Sequence, residues 1–419
     1  MRQVEVCELS SKWIEWEKIG EIMFFNQVVQ AEADPIFGLL GAFGADTRPQ
    51  KVNLTVGIYK DDDLSSTLLS SVKKGKEQIF DQDLMADYLP MDGLKKMTEL
   101  LGEVLFGDHL WKSFQEKIYA AHTVGGTGAL RVGTEFLIQE GIKNICIPNY
   151  TWPNHRSILE KTGAKIGVYP YYSREKKGFD FDQMGEFLEK LPEKTAPILH
   201  ACCHNPTGCD PTIQEWKEIS LIMKERKLFP FFDCAYQGLG EGLEKDSEAI
   251  RIFLEDGHEM LIGYSCSKNF SMYCQRVGTL FAVTENGTIR DKVGSQIKKI
   301  IRSLYSNPPA HGARIVTEVL LKEDLKRLWH KDLEQIRFRL KGMRENLTDL
   351  LQQKNRDIDF SYLNSHKGMF SFVDLTKLQV KKLIDQFAVY LLDNGRISVA
   401  GLNSKNIEYV ADSITSVCK

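Results

Sequence analysis

The sequence lacks the features that place a protein in a membrane or on nucleic acid. No stretch approaches the roughly 18 consecutive apolar residues that span a bilayer, and Glu5 and Glu8 fall where a secretory signal needs an apolar core. Lys and Arg total 54 against 57 Asp and Glu, so no basic excess is available to neutralise phosphates. These absences predict a cytoplasmic protein that binds neither membranes nor nucleic acid.

The sequence also has no cysteine pattern typical of a disulfide framework or a zinc site. Nine cysteines is an odd number, several lie in apolar segments, and no pair has the CxxC spacing. Cys202 and Cys203 are adjacent, and we expect adjacent side chains of a strand to point to opposite faces. We therefore expect no metal site, although potential ligands are present at Cys202, Cys203, His204, Cys209 and Cys234.

Linkers, internal repeats and low-complexity runs are absent too. A chain of 419 residues, 42% hydrophobic and 26% charged, is an ordinary globular protein that can bury one large core and a smaller one. We expect residues 1–22 to form an N-terminal extension. The remainder divides into a small lobe, residues 23–66 with 336–419, and a large lobe, residues 67–335.

Strand-like and helix-like segments alternate through the middle of the chain. This alternation predicts an α/β fold with a mostly parallel sheet that helices cover on both faces. Near the end, residues 312–351 predict a helix pair or one long kinked helix, and residues 368–372 predict a strand. The strand-like segments are 144–148, 164–169, 197–202, 228–233, 260–265 and 279–283, and the clearest helix-like segments are 127–140 and 213–226.

Lys268 lies in the most informative run of the chain, residues 265–278. The run follows a short apolar strand, and ligands of open α/β sheets bind beyond the carboxyl ends of strands. A lysine withdrawn from water loses its proton readily and can form a Schiff base with an aldehyde. Ser265 and Arg276 flank it as a hydroxyl donor and a permanent cation, which suits a phosphate. An aldehyde with a phosphate points to pyridoxal phosphate, and the alternative is a surface lysine beside helix-capping serines.

A second candidate pair follows the strand that ends at Asp233. A carboxylate at the end of an apolar strand is poorly solvated unless it meets a cation, and a protonated pyridine nitrogen is such a cation. Tyr236 could donate its hydroxyl to a phenolate on the same ring, and His155 could bond Asp233 from behind. The alternative is a helix-capping aspartate with a core tyrosine.

Three further segments supply groups suited to a phosphorylated planar ring. Asn205 lies in a turn after an apolar strand and can donate to a phenolate oxygen. Gly126 and Thr127 open a helix whose uncovered amides favour an anion. Trp152 follows another strand and could stack on a ring. Each of these residues has a plain structural alternative as a turn, cap or core residue.

Two arginines complete the set. Arg302 and Arg396 lie far apart in the sequence, and arginine grips a carboxylate through two parallel hydrogen bonds. Two of them suit a dicarboxylic substrate. Either one alone is more typical of a surface or ion-paired arginine.

Taken together, these segments resemble the class I aspartate aminotransferases. The resemblance covers residues 25–414 and begins with the motifs at 33–39 and 52–59. It implies the fold type I architecture of pyridoxal phosphate-dependent transferases, a large domain with a mostly parallel seven-stranded sheet and a smaller α/β domain. It also implies reversible transfer of the amino group of L-aspartate to 2-oxoglutarate.

The resemblance implies a role for each candidate residue. Lys268 would bond the cofactor and shuttle the α-proton, while Asp233 would pair with the pyridine nitrogen. Arg396, with Asn205 and the Gly57 backbone, would bind the α-carboxylate. The other cofactor contacts would come from Gly126, Thr127, Trp152, Asn205, Tyr236, Ser265 and Arg276.

The resemblance further implies a homodimer with shared active sites. Tyr88 would reach the phosphate, and Arg302 the distal carboxylate, of the partner subunit. Departures from the family pattern occur at Gly125, Phe37 and Thr55, where serine, an aliphatic residue and glycine are common.

Phe37 and Ile58 could border the side-chain pocket, which leaves an aromatic-amino-acid aminotransferase as the alternative main activity. Thr127 and Asn307 are more typical of the aspartate-preferring members. Two rival functions remain, namely decarboxylation or β-elimination on the same cofactor, and a regulatory dimer that binds the cofactor without turnover.

Overall fold

The computed structural model describes residues 24–31, 34–80 and 87–418. The predicted N-terminal extension, residues 1–22, lies outside these described residues. Within them, no helix is both long enough and apolar enough to cross a membrane.

The strands and helices follow one another along most of the described chain. The strands are β1 (Val52–Asn53), β2 (Ile118–Val124), β3 (Asn144–Pro148), β4 (Lys165–Tyr169), β5 (Tyr172–Ser173), β6 (Gly178–Phe179), β7 (Thr195–His200), β8 (Phe231–Cys234), β9 (Met260–Ser265), β10 (Val277–Val283), β11 (Phe370–Phe372), β12 (Val389–Tyr390) and β13 (Arg396–Ser398). The helices are α1 (Pro35–Ala45), α2 (Ser70–Phe80), α3 (Lys95–Phe106), α4 (Asp108–Phe114), α5 (Gly125–Gln139), α6 (Asn154–Glu160), α7 (Phe181–Glu189), α8 (Ile213–Glu225), α9 (Glu248–Glu255), α10 (Gly287–Leu304), α11 (Ala310–Leu321), α12 (Glu323–Lys354), α13 (Lys377–Phe387) and α14 (Ile407–Val417). Short 3-10 turns occur at Phe24–Gln27, Gln115–Lys117, Lys245–Ser247, Ser361–Ser365 and Val399–Gly401.

A seven-stranded sheet forms the centre of the molecule, in the order β2-β10-β9-β8-β7-β3-β4. Strands β9, β8, β7, β3 and β4 pair in parallel, and β10 is antiparallel to both of its neighbours. The prediction of a mostly parallel sheet is therefore confirmed. Because β10 runs against the others, it begins at the edge where they end, and Arg276 comes to lie at the same edge as Lys268.

Both faces of this sheet are covered, as the alternating pattern predicts. Apolar residues of α5 and α10 pack on one face, among them Leu130, Val132 and Ile297. The opposite face carries a larger cluster that includes Leu101, Trp216 and Phe253 from α3, α8 and α9. The central strands β7, β8, β9 and β10 are buried along their whole length, which explains their nearly continuous apolar sequence.

The boundaries of the elements differ from the prediction in a few places. Strands β3 and β9 have the predicted bounds, and the predicted helix pair is α11 and α12, with a break at Lys322. The segment predicted as a strand to residue 202 ends at His200, because a turn begins there. Strand β2 was not predicted, since Ala120, Ala121 and His122 interrupt the β-favouring residues at its two ends.

Two small sheets bring the ends of the chain together. Strand β1 pairs in parallel with β12, and β11 pairs in antiparallel fashion with β13. These strands come from the segments predicted to form the small lobe. The predicted lobe boundary at residues 335 and 336 falls inside α12, and the division into lobes stays a prediction.

Candidate active site

A cavity of about 310 Å³ opens at the carboxyl edge of the central sheet. The polar groups around it come from the turns that follow different strands, since those strands end at one edge. All the residues predicted to contact a cofactor within one subunit line this cavity, namely Gly126, Thr127, Trp152, Asn205, Asp233, Tyr236, Ser265, Lys268 and Arg276. An apolar wall faces them, formed by Ile36, Phe37, Leu40, Val56 and Ile58.

Lys268 projects from the turn after β9 and is partly buried. Its ammonium lies 4.8 Å from the centre of the Tyr236 ring. Desolvation, together with the positive charges of Arg276 and Arg396, lowers the pKa of the amine to about 8, although Asp233 opposes the shift. A useful fraction of the amine is therefore neutral, and nucleophilic, near neutral pH.

Asp233, near the end of β8, is only 7% exposed and faces the cavity. His155 Nε2 lies 3.1 Å from its Oδ2, which confirms the hydrogen bond predicted between them. Burial alone would raise the pKa of Asp233, but the hydrogen bond from His155 and the nearby positive groups outweigh it and lower the pKa. The carboxylate therefore stays ionised and can stabilise a cation in the cavity.

His155 belongs to a longer chain of hydrogen bonds behind the carboxylate. Thr151 Oγ1 lies 2.8 Å from His155 Nδ1 and 3.1 Å from His200 Nε2. Desolvation, with the neighbouring histidines, lowers the pKa of His200 well below its ordinary value, so its ring is neutral. This chain fixes the orientation of His155 and, through it, that of Asp233.

The N-terminus of α5 forms one side of an anion cradle. The helix begins at Gly125, as the glycine run predicts, and its first amides have no partner inside the helix. Gly125 has a φ of +67°, and a Cβ placed there would lie 2.5 Å from Arg276 Nη2. The Arg276 guanidinium thus occupies the space that a side chain at this position would fill.

Arg276 and two serines form the opposite side of the cradle. Arg276 Nη1 donates to Ser267 Oγ at 3.1 Å and to the Tyr273 carbonyl at 3.1 Å. Ser265, which is 4% exposed, approaches Gly126 so closely that a Cβ on that glycine would lie 3.0 Å from the serine Cβ. Backbone amides, hydroxyls and a guanidinium that meet in this way fit a phosphate group.

Asn205 connects this cavity to a second, deeper cation. Its Nδ2 donates to the Tyr236 hydroxyl at 3.4 Å, and its Oδ1 accepts from Arg396 Nη1 at 3.1 Å. Arg396 is 1% exposed, lies 4.3 Å from the centre of the Phe370 ring, and its Nε has no partner among the described residues. Desolvation lowers the pKa of this guanidinium to about 10, so it remains charged and suited to a carboxylate.

The predicted contacts from a partner subunit lie elsewhere. Tyr88 is 91% exposed, and Arg302 is exposed at the end of α10, where it donates to the Ser306 hydroxyl. Neither residue lines the cavity of its own subunit. Gly57 does line it, and a Cβ on Gly57 would lie 2.6 Å from the Phe370 ring.

Ser267, Tyr273, Thr151 and His200 contribute to the site but were not predicted to do so. Ser267 and Tyr273 lie inside the 265–278 run, so their nearness to Lys268 in the sequence was the available signal. Thr151 and His200 act through contacts between separate strands, for which the sequence offers no local signal.

Cys202 and Cys203 do not point to opposite faces of a strand, so that prediction was wrong. Strand β7 ends before them, and in the turn that follows their sulfur atoms lie within 4.8 Å of each other and of an Asp246 carboxylate oxygen. That carboxylate already accepts amide hydrogen bonds from residues 238, 240 and 241. Contact between the two thiols and desolvation raise the pKa of Cys202, which disfavours the thiolate that a metal requires. The absence of a metal site stays a prediction.

Fold and site together define a class of enzyme. A lysine with a lowered pKa, an ionised carboxylate and an anion cradle meet in one cavity at the carboxyl edge of an α/β sheet. This arrangement is that of an enzyme that holds a phosphorylated aldehyde cofactor on a lysine.

Comparison with known proteins identifies the family within this class. Residues 49–414 match the family Aminotransferase class I and II. The aspartate aminotransferases of Escherichia coli and Haemophilus influenzae are 38% and 39% identical over 394 residues, which is 94% of this chain and 100% of each relative. The chain therefore belongs to the class I and II aminotransferase family, and the predicted family and enzyme class are confirmed.

Solved structures agree with this result. An aromatic-amino-acid aminotransferase from Burkholderia pseudomallei, covalently bound to pyridoxal phosphate, matches with a TM-score of 0.92 and 39% identity, over 94% of this chain and 100% of that one. The cytoplasmic aspartate aminotransferase of Saccharomyces cerevisiae matches with a TM-score of 0.91 and 36% identity, over 94% and 98%. The predicted fold is thereby confirmed.

Proposed function

We propose that this chain is a pyridoxal phosphate-dependent aspartate aminotransferase, which moves the amino group of L-aspartate to 2-oxoglutarate and yields oxaloacetate and L-glutamate. The observation that carries the proposal is one cavity in which the Lys268 amine, the Asp233 carboxylate and the Gly126 and Arg276 cradle meet. The aspartate aminotransferases that match the chain over nearly its whole length support the choice of substrate.

The residues of the cavity fit this cofactor. Gly126, Thr127, Ser265 and Arg276 would hold the phosphate, since all four line the cavity and Gly126 leaves the first amides of α5 uncovered. Asp233 would hold the protonated ring nitrogen, Tyr236 and Asn205 would hold the phenolate oxygen, and Trp152 would lie against the ring. When bound, the cofactor supplies an electron sink for the electrons of the broken Cα–H bond.

The side chains of this chain provide the remaining chemistry. Lys268 Nζ, with a pKa of about 8, would accept the α-proton of the amino acid and deliver it to the former aldehyde carbon of the cofactor. Asp233 stays ionised because His155 bonds it from behind, so it keeps its cationic partner protonated. Arg396 would bind the α-carboxylate and so hold the amino acid in the cavity beside the amine.

The proposal includes a homodimer with shared sites. Tyr88 and Arg302 lie on the surface, outside the cavity of their own subunit, as expected if each serves the site of the partner subunit. Arg302 of the partner subunit then binds the distal carboxylate of aspartate. We also propose a cytoplasmic location, which the free state of the described cysteines supports.

A specific observation also favours aromatic donors as second substrates. The cavity wall opposite Lys268 is apolar, and Phe37 and Leu40 are large and exposed there. Such a wall can cover an aromatic side chain. An aromatic-amino-acid aminotransferase therefore remains the second candidate for the main activity.

The half-reaction with aspartate tests the proposed function. Purified protein loaded with pyridoxal phosphate is mixed with L-aspartate and no oxo acid, and we expect its absorbance band to shift with release of one oxaloacetate per site. Adding 2-oxoglutarate should restore the band and release glutamate. Alanine, carbon dioxide or ammonia as the main product would instead support decarboxylation or elimination. An unchanged band in loaded protein, with no product, would support a regulatory dimer.

Mixing two inactive variants tests the shared site. In the proposed dimer, each site takes Lys268 from one subunit and Arg302 from the other. A dimer of one Lys268→Ala subunit and one Arg302→Ala subunit therefore contains one intact site, with Lys268 from the second subunit and Arg302 from the first. Random exchange should restore about a quarter of the wild-type activity, because half of the dimers are mixed and each has one of two sites intact. The control is the double variant Lys268→Ala/Arg302→Ala mixed with Arg302→Ala, which should restore nothing. Equal activity in both mixtures would contradict sharing.

A further inference from the structure

Thr55 lies beside the cavity wall, and the structure gives its side chain a defined contact with Asn53. The residue is fully buried just after β1, immediately before the cavity wall at residues 56–58. Its hydroxyl donates to Asn53 Oδ1 at 2.6 Å, and its amide donates to the same oxygen at 2.9 Å. The Asn53 side chain therefore closes a short turn that fixes the backbone at Thr55.

The carbonyl of Thr55 is the group that this turn places. It accepts a hydrogen bond from Arg396 Nη2, while Asn205 accepts from Nη1 of the same guanidinium. The cation is also 4.3 Å from the centre of the Phe370 ring. Two oxygens and a ring thus set the plane of a guanidinium whose Nε is left without a partner among the described residues.

The segment that precedes Thr55 is itself firmly held. The Leu54 amide donates to the Tyr390 carbonyl at 2.8 Å, and the Leu54 carbonyl accepts from the Ser398 amide at 2.8 Å. These bonds attach β1 to both small sheets, and Arg396 begins β13. The turn at Thr55 is therefore the last fixed point before the chain enters the cavity wall.

We propose that Thr55, together with Asn53, is a positioning residue that orients Arg396 for the carboxylate of the substrate. Glycine at this position would lack the hydroxyl and would leave the turn freer. The proposal rests on the proposed function, in which Arg396 binds the α-carboxylate. It predicts an effect on every carboxylate ligand alike, because all substrates share that group.

Binding of unreactive carboxylates to the loaded protein tests this proposal without turnover. 3-Phenylpropionate has one carboxylate and reports on Arg396 alone, whereas succinate has two. In Thr55→Val, which keeps the shape and removes the hydroxyl, we expect the Kd of both ligands by calorimetry to rise roughly 5- to 10-fold, as for one lost hydrogen bond. Thr55→Ser should restore the wild-type Kd, and Thr317→Val, which removes a hydroxyl inside α11, should not change it.

Kinetics supply the second readout. Thr55→Val should raise the KM of aspartate and of 2-oxoglutarate by similar factors and leave kcat within about twofold. An unchanged Kd, or a fall in kcat at constant KM, would overturn the positioning role. If Thr55→Val does not fold, Asn53→Ala decides, since it removes the acceptor of both bonds and should weaken 3-phenylpropionate at least as much.

Failure of the proposed role of Thr55 and failure of the proposed function give different results in these experiments. A wild-type protein without aspartate transamination, but with a Kd that shifts in Thr55→Val, would reject the proposed substrate and retain the role of Thr55. Full transamination with no shift in Kd would reject only the role of Thr55.

Discussion

The two sides of the cavity differ in burial and in chemistry. On the sheet side, Asp233 is 7% and Ser265 is 4% exposed, and each is hydrogen-bonded, Asp233 to His155 and Ser265 to the Ser267 amide. On the opposite side, Phe37 is 73% and Leu40 is 39% exposed, and both are apolar. The difference indicates that the reaction is set by the buried polar side and the choice of substrate side chain by the exposed apolar side.

The strongest test of this division is the loss of the amine on the buried side. Lys268→Ala removes the base and nucleophile, and we expect transamination of every donor to fall by about 10⁴-fold or more. The measurement is kcat/KM for aspartate and phenylalanine in folded protein. Lys161→Ala, at an exposed lysine, is the control and should be fully active. A loss confined to one donor would break the division between the two sides.

A smaller loss is expected when the charge of the buried carboxylate is removed. Asp233→Asn keeps the shape of the side chain but cannot hold a ring cation, so kcat should fall by about 10²- to 10³-fold for all donors. Steady-state kinetics with the exposed Asp182→Asn as control measure the effect. Retention of more than a tenth of the wild-type kcat would show that the carboxylate does not act on the cofactor.

The buried amine should also make stability depend on pH in the cofactor-free protein. The pKa of Lys268 is about 8 when folded and 10.5 when unfolded, so the unfolded state binds more protons between these values and stability rises with pH. Below pH 8 the Lys268 amine is mostly protonated in both the folded and the unfolded state. The buried ammonium then destabilises the folded state by its full amount. Relative to Lys268→Met, the wild type should gain on the order of 2 to 3 kcal/mol from pH 7 to 10.

Urea unfolding of both proteins at the two pH values measures this gain. The gain is the difference in free energy of unfolding between the wild type and Lys268→Met. The titration of all other groups is common to both proteins and cancels. A constant difference in the free energy of unfolding would mean that Lys268 has an ordinary pKa and is not desolvated.

The smallest effect is expected on the exposed apolar side. Phe37→Ala removes part of the wall, and kcat/KM for phenylalanine should fall about tenfold, by the loss of apolar contact, while that for aspartate changes less than threefold. Phe338→Ala, which shortens an exposed phenylalanine of α12, is the matched control. An equal loss for both donors would show that Phe37 acts on the reaction and not on substrate choice.

The same contrast explains how much could be predicted from the sequence. The cavity residues of the sheet side follow apolar strands and stand in short polar turns, so Lys268, Asp233 and Asn205 could be placed at one edge before the structure was known. The glycine run at the start of α5 likewise predicted an anion cradle. Local sequence patterns were enough to place these residues together, because parallel strands bring their carboxyl ends to one edge of the sheet.

Other features depend on contacts between distant segments and could not be predicted locally. The bond from Thr151 to His200 and the contact of Thr55 with Arg396 join residues from distant segments of the chain. Cys202 and Cys203 were placed wrongly because the end of β7 cannot be read from an apolar run that continues into a turn.

The central claim is that the Lys268 amine lies in bonding distance of a phosphorylated aldehyde. Borohydride reduction of the loaded protein, followed by peptide mapping, tests it directly. The account predicts a stable pyridoxyl label on the peptide that contains Lys268 and its loss in Lys268→Ala. A label on another lysine, or none on protein that holds the cofactor, would contradict it.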